Sequence, residues 1–324
     1  MLDDVEVVGV YALPLTERFR RTDVREGVLL RGPAGWGEFC PFPEYSDAAC
    51  VPWLAGALEA ATVGWPAPVR DVVPVNCIVP AVAPARAAEL VRASGCATAK
   101  VKVADPGQTL ADDVARVAAV RAALGAAGAV RVDANGAWSV AGAVEAVTVL
   151  DDAAGGLEYV EQPCASVEEL AAVRRSVSVP VAADESIRLA SDPLTVALAG
   201  AADVAVIKCL PLGGVSAALA VAEACGLPVV VSSALESSVG LAASVALAAA
   251  LPSLPFACGL GTVSLFARDS VPAEASLRPL GGALSVAAPV PTAASLAAAL
   301  TSDDGRRAWW TARLERVASL LDAP

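Results

Sequence analysis

The chain contains no histidine. A serine–histidine relay, a zinc–histidine centre and a histidine general base are all excluded, which leaves lysine as the natural base near neutral pH. Runs of positive charge are missing too. With a formal net charge of −12 and no block of Lys or Arg, the surface lacks the concentrated positive field that a nucleic acid or an anionic membrane requires. The expected partner is a small-molecule substrate, with no nucleic acid and no membrane, and the sequence does not choose between a monomer and a homo-oligomer. The eight cysteines (Cys40, Cys50, Cys77, Cys96, Cys164, Cys209, Cys225 and Cys258) form no CxxC pair, and no secretion signal is recognisable. Reduced, mostly buried thiols and a cytoplasmic location are therefore expected. Neither GxGxxG nor GxxxxGK[ST] follows the early strands, so nucleotide-binding folds gain no support.

Mean hydropathy is high, at +0.59, and the stretch 237–267 carries no charge until its end. A membrane span needs roughly 20 apolar residues in succession. Here Ala, Ser and Gly predominate and Pro252 and Pro255 interrupt, so a buried helix, a turn and a strand are the better reading.

From Pro74 onward, short valine-rich runs alternate with longer alanine-rich segments of helical periodicity. The runs are 75–79, 99–103, 130–134, 157–162, 179–185, 203–208, 228–233 and 256–261. Eight strands that are apolar throughout, each followed by a helix, imply a parallel sheet covered by helices. Closure into a (β/α)8-like, modified TIM barrel is the economical solution, and a doubly wound open sheet is the alternative. The first 73 residues differ: alternating apolar residues, a hairpin through RGPAGWGE and a helix near AACVPWLAGALEAAT predict an α+β capping domain. The expected organisation is a cap over 1–73, a barrel over 74–271 and a segment over 272–324 that returns to the cap.

Polar residues end the predicted strands, where barrel enzymes place their reactive groups. Lys102 ends the second strand, Asp133 the third, Glu161 the fourth, Asp184 the fifth and Lys208 the sixth. One acidic residue at such a place is commonly a helix cap. Three on consecutive strands form an arc of oxygen ligands suited to one Mg²⁺, with Mn²⁺ as an alternative ion. Strands two and six lie opposite one another in a ring of eight, so Lys102 and Lys208 should face each other across the mouth as acid–base candidates. Lys100 shares the face of Lys102 by the period-two rule and is either an electrostatic support or structural.

These residues lie in the ordered motifs KVKV (100–103), VDAN (132–135), YVEQP (159–163), AADES (182–186) and VIKCLPLGG (206–214). Together they resemble the enolase superfamily, muconate-lactonising subgroup. The resemblance implies that Asp133, Glu161 and Asp184 bind Mg²⁺, that Lys102 and Lys208 are the catalytic pair, and that Asn135 supports them. Within the subgroup, SSALESSVG (232–240) and CGLGT (258–262) are similar to the o-succinylbenzoate synthase family, and the DxD that holds a substrate ammonium in dipeptide epimerases is absent. The implied reaction is Mg²⁺-dependent syn elimination of water from 2-succinyl-6-hydroxy-2,4-cyclohexadiene-1-carboxylate, giving 2-succinylbenzoate for menaquinone synthesis. Ser232, Ser233 and the backbone at Gly259 are then candidates for the succinyl group. The segments 16–25 and 35–45, with Phe39 and Phe42, are candidates for closing over the site from the cap. An N-acylamino-acid racemase or dipeptide epimerase using the same machinery, and a metal-free Schiff-base aldolase with Lys208 as nucleophile, are the alternative activities.

Overall fold

The computed structural model describes residues 2–20, 22–188 and 193–322. It opens with an antiparallel sheet of β1 (Glu6–Phe19), β2 (Thr22–Arg31) and β3 (Trp36–Phe39), followed by helix α1 (Asp47–Thr62) and a short strand β4 (Val72–Pro74). Seven parallel strands come next: β5 (Cys77–Val79), β6 (Thr98–Lys102), β7 (Ala129–Asp133), β8 (Tyr159–Glu161), β9 (Val181–Ala183), β10 (Val204–Ile207) and β11 (Val229–Val231). They pair in sequence order to form one sheet. Outside it run α2 (Pro84–Ser94), α3 (Leu110–Leu124), α4 (Val140–Ala154), α5 (Val167–Arg174), the single turns α6 (Glu185–Arg188) and α7 (Thr195–Leu198), then α8 (Val215–Cys225) and α9 (Ser238–Ala250). A last strand, β12 (Ala283–Ser285), pairs with β4 before α10 (Ala293–Ala299) and α11 (Asp304–Leu321).

All seven of the first expected barrel strands form, and the eighth is reduced. The 256–261 run makes no ladder. It closes the ring through two parallel bridges, Val75 to Cys258 and Ser232 to Gly259, with Cys258 donating to the Pro74 carbonyl at 2.7 Å and Gly259 to that of Val231 at 2.8 Å. Glycine is required at this seam because a Cβ on Gly259 would lie 2.6 Å from Ser232 Oγ. The uncharged stretch resolves into α9 and this closing segment, and among the described residues no helix is long and apolar enough to cross a membrane.

Strand alternation divides the barrel into two environments. Val101, Val132, Val160, Val181, Ala205, Ile207 and Val231 point outward into the main core beneath the helices. Tyr159, Ala182, Val204, Val206 and Val230 point inward and form a separate small cluster. The strands are buried on both faces, which is why they read as continuous apolar runs. At several helix starts a side chain supplies the missing acceptor: for example, Thr109 and Asp112 make a capping box on α3, Ser166 and Glu169 another on α5, and Ser139 caps α4. All eight cysteines are buried and free.

The cap grips the barrel by placing carboxylates at two helix N-termini, where unpaired N–H groups and the helix dipole favour negative charge. Glu59 of α1 accepts from the backbone of Val215 and Ser216 at 2.5 and 3.0 Å, at the start of α8. Glu38 of β3 is buried at the start of α9, where it accepts from Ser237 N at 3.0 Å, Gly240 N at 2.8 Å, Ser237 Oγ, and Tyr11 Oη at 2.6 Å. The C-terminal segment packs on the same cap. Thr301 donates to the Val10 carbonyl at 2.9 Å, Trp310 meets Phe39 edge-on at 6.2 Å, and Arg313 donates to the carbonyls of Phe42 and Tyr45.

Removing Glu38 strands four donors in a buried place. Glu38→Ala should lower stability by about 2–3 kcal/mol, with Glu38→Gln between it and the parent. Thermal and urea denaturation read this directly, and an unchanged midpoint for Glu38→Ala would show that the contact does not anchor the cap.

Candidate active site

The polar side chains gather at the C-terminal ends of the strands. Strand pairing sets Lys102 beside Asp133 and Asp133 beside Glu161, while Asp184 and Lys208 follow directly on β9 and β10. Asp133, Glu161 and Asp184 are each 0–1 % exposed. Bare carboxylates at that depth are unstable unless compensated, and each has a cation. Lys100 Nζ lies 2.5 Å from Glu161 and 2.9 Å from Asp133; Lys102 donates to Asp133 and, at 2.7 Å, to Asn135 Oδ1; Lys208 donates to Asp184. Among the described residues no three acidic or thiol side chains converge as a ready-made chelate.

The cations and carboxylates tune one another. For Asp133, burial alone would raise the carboxyl, but Lys100 and Lys102 outweigh it and hold it well below the usual carboxylate range. Asp184 behaves alike, lowered by Lys208 and Arg188 against the cost of burial. Glu161 goes the other way: burial and the negative charge of Asp133 push it up to about 7 despite Lys100. Burial would depress Lys100, yet Asp133 and Glu161 raise it well above the ordinary lysine value. Lys208 is lowered, with burial the main cause and Asp184 opposing.

A small cavity of about 30 Å³ opens among these groups. Lys100, Lys102, Asp133, Asn135, Lys208, Ser232, Ser233 and Gly259 all line it. Glu161 and Asp184 are not in its wall and stand behind Lys100 and Lys208. The two lysines of interest reach the space from β6 and from the end of β10, four positions apart in the ring. Ser233 Oγ is paired with Thr262 Oγ1 at 2.7 Å.

Several residues at the site were not singled out from the sequence. Arg188, buried on α6, bonds Asp184 at 2.9 Å, Glu185 at 2.6 Å and Tyr45 Oη of the cap at 2.8 Å. Its spacing of four from Asp184 on one helical turn was the available signal. Phe19 and Arg20 line the cavity from the β1–β2 hairpin, so the 16–25 segment does reach the site. Thr262 and Leu235 also contribute to the wall. Phe39 does not; it is fully buried in the cap core against Trp310. Phe42 lies beside Arg20 and Arg25, whose guanidinium carbons are 4.4 and 4.3 Å from its ring centre.

Comparison with known proteins agrees with the geometry. Residues 83–298 match the enolase C-terminal domain-like family and residues 10–61 the enolase N-terminal domain-like family. The chain is 63 % identical over 276 residues to an o-succinylbenzoate synthase from Thermobifida fusca, covering 85 % of this chain and 86 % of that one. It is 56 % identical to the enzyme of the same name from Mycolicibacterium smegmatis, covering 97 % and 96 %. The chain belongs to the o-succinylbenzoate synthase family of the enolase superfamily. Among solved structures similar to this member of the superfamily, the L-Ala-D/L-Glu epimerase from Bacillus subtilis has a TM-score of 0.76 at 24 % identity, covering 89 % of this chain and 96 % of that one. The N-succinyl Arg/Lys racemase from Bacillus cereus has a TM-score of 0.76 at 18 % identity, covering 93 % and 98 %. At those identities the two structures share the barrel and cap with this superfamily member, and nothing about substrate follows.

The loop after β11 couples this site to the cap through Glu236, whose Oε2 accepts from Ala234 N at 2.8 Å while Oε1 has no partner. Burial, then Glu38, pushes its carboxyl up to about 7. The folded chain thus holds a proton there that the unfolded chain releases near the ordinary carboxylate value. This contribution to stability is complete below that ordinary value and is lost as pH rises through about 7. Glu236→Gln keeps the bond to Ala234 and should flatten that part of the profile. The difference in melting temperature between variant and parent, measured from pH 4 to pH 8, should grow in favour of the variant; a constant difference would contradict the assignment.

Proposed function

We propose that this enzyme, a hydro-lyase of the o-succinylbenzoate synthase family, dehydrates 2-succinyl-6-hydroxy-2,4-cyclohexadiene-1-carboxylate to 2-succinylbenzoate, a step of menaquinone synthesis, with one Mg²⁺ bound at the strand ends. The observation that carries the reading is the placement of two lysines on opposite strands around one cavity, backed by three buried carboxylates on consecutive strands.

The carboxylates suit the ion. Asp133, Glu161 and Asp184 are a hard, all-oxygen donor set of the kind Mg²⁺ prefers, buried on three consecutive strands. Mg²⁺ held by these three would supply the Lewis acidity that makes the proton next to the substrate carboxylate removable. The remaining chemistry belongs to the chain. Lys102, as the free amine, takes that proton, and the resulting ammonium returns it to the hydroxyl leaving from the same face, so ring aromatisation drives the elimination. Lys208 stays charged on the opposite face and stabilises the anionic intermediate and the ring by charge and by cation–π attraction. Asn135 and Lys100 hold Lys102 and the carboxylates in place. Ser232, Ser233 and the Gly259 backbone line the side where the succinyl group departs from the ring.

Racemisation would use the same two lysines. It is the weaker reading because the relatives at 54–63 % identity are named o-succinylbenzoate synthases, whereas the epimerase and racemase structures agree in fold alone. A Schiff-base aldolase has no support from the family.

An ultraviolet assay tests the reaction. The aromatic product should form with Mg²⁺, disappear with chelator and return when metal is added back. Lys102→Ala should reduce kcat by about 10²–10⁴-fold, and Asp184→Asn should weaken Mg²⁺ binding in calorimetry. Absence of aromatic product with metal supplied would refute the assigned reaction.

A further inference from the structure

The cavity that contains both lysines has room for about two water molecules. A cyclohexadiene carrying a carboxylate and a succinyl chain does not fit inside it. A second cavity, of about 410 Å³, lies in the cap, walled by Val24, Arg25, Phe42, Pro43 and Trp310, and that volume is in the range of ligand sites. Arg20 is the residue that lines both.

The charges of the larger cavity differ in availability. Arg25 is 2 % exposed and donates to the carbonyls of Leu235 at 2.9 Å, Ala234 at 3.4 Å and Cys40. Glu26 is taken by Arg306 and by the Trp310 indole at 3.0 Å. Glu44 is exposed at the rim. Arg20 is half-buried, rests on the Phe42 ring, and among the described residues has no carboxylate within ion-pair distance. Its backbone is held at φ +49° at the hairpin tip, a conformation uncommon outside glycine and met at functional sites. A guanidinium without an anion, between the lysine cavity and a chamber whose wall combines Val24, Phe42, Pro43 and Trp310 with Thr22, Arg25, Glu26 and Glu44, suits a carboxylate at the end of a short aliphatic chain. The strand-seven hydroxyls of Ser232 and Ser233 are neutral and supply no such charge, and Ser233 is already bonded to Thr262.

We propose that Arg20 binds the terminal carboxylate of the succinyl chain, which runs from the lysine cavity into the cap chamber with its methylenes on Phe42 and Val24. The assignment rests on the reading that the substrate is a succinyl-bearing dianion. It divides recognition in two, with the ring carboxylate held at the barrel mouth and the distal one held by the cap.

Calorimetric titration of the Mg²⁺-loaded full chain with 2-succinylbenzoate, and with its monoamide at the succinyl end, provides the test. Arg20→Met should weaken binding of the diacid by about 30–100-fold, on the order expected for a charge-assisted bidentate pair, while changing monoamide binding less than about threefold. Arg20→Lys should fall between. In turnover the loss should appear in KM with kcat nearly kept. Equal losses for diacid and monoamide, or no loss for Arg20→Met, would overturn the proposal. Failure of the parent enzyme to bind the diacid would overturn it as well. Tight, Arg20-dependent binding by a parent enzyme that forms no aromatic product would refute the assigned reaction and leave the carboxylate site standing.

Discussion

Three buried carboxylates meet three lysines, Lys100 and Lys208 buried and Lys102 partly so, at one end of a barrel whose remaining walls are mostly valine and alanine. Neither set would remain charged at that depth alone, because removing an ion from water costs several kcal/mol that only a close counter-charge offsets. The pairing of Lys100 with Asp133 and Glu161, of Lys102 with Asp133, and of Lys208 with Asp184 is therefore a condition for the strand ends to carry reactive groups. Much else follows from meeting it. The strands must run parallel and in order so that their ends coincide, and the ring must close so that the sixth strand returns opposite the second.

The cap is bound by the same physics applied at lower stakes. Its carboxylates, Glu38 and Glu59, occupy the N-termini of two barrel helices, and its arginine Arg25 holds the carbonyls of the loop after β11. That loop carries Ser232 and Ser233 at one end and Glu236 at the other. Cap and barrel thus share the wall of the site, and Arg188 adds a further tie by bonding Asp184 and Tyr45 together. Contacts that line the cavity and contacts that hold the two parts together run through the same few residues.

Much of this was legible in the chain. Valine-rich runs mark strands buried on both faces, and a polar residue ending each of five consecutive runs points to the mouth of a barrel, because a charge within such a strand has no other place to go. The eighth strand was harder. Its run contains Gly259 and Gly261 and follows Pro255, and although the local pattern suggests a strand, the segment pairs with its neighbours only through isolated bridges. Arg188 was not visible as a site residue because arginine on a short turn is ordinarily solvated, and Arg20 was named only as part of the 16–25 segment. Phe39 and Phe42, three residues apart, were indistinguishable by type, yet one packs in the cap core and the other borders a cavity.

What the sequence determines by itself is the order of elements and the chemical identity of the groups at the strand ends, since periodicity and residue type are local properties. The absence of histidine excludes histidine chemistry whatever the fold. What only the tertiary structure decides is which charges neutralise which, how large the space between the lysines is, and that Arg20 borders both cavities. Those depend on distances between residues far apart in the chain, set by ring closure and by the seating of the cap, and no local pattern encodes them.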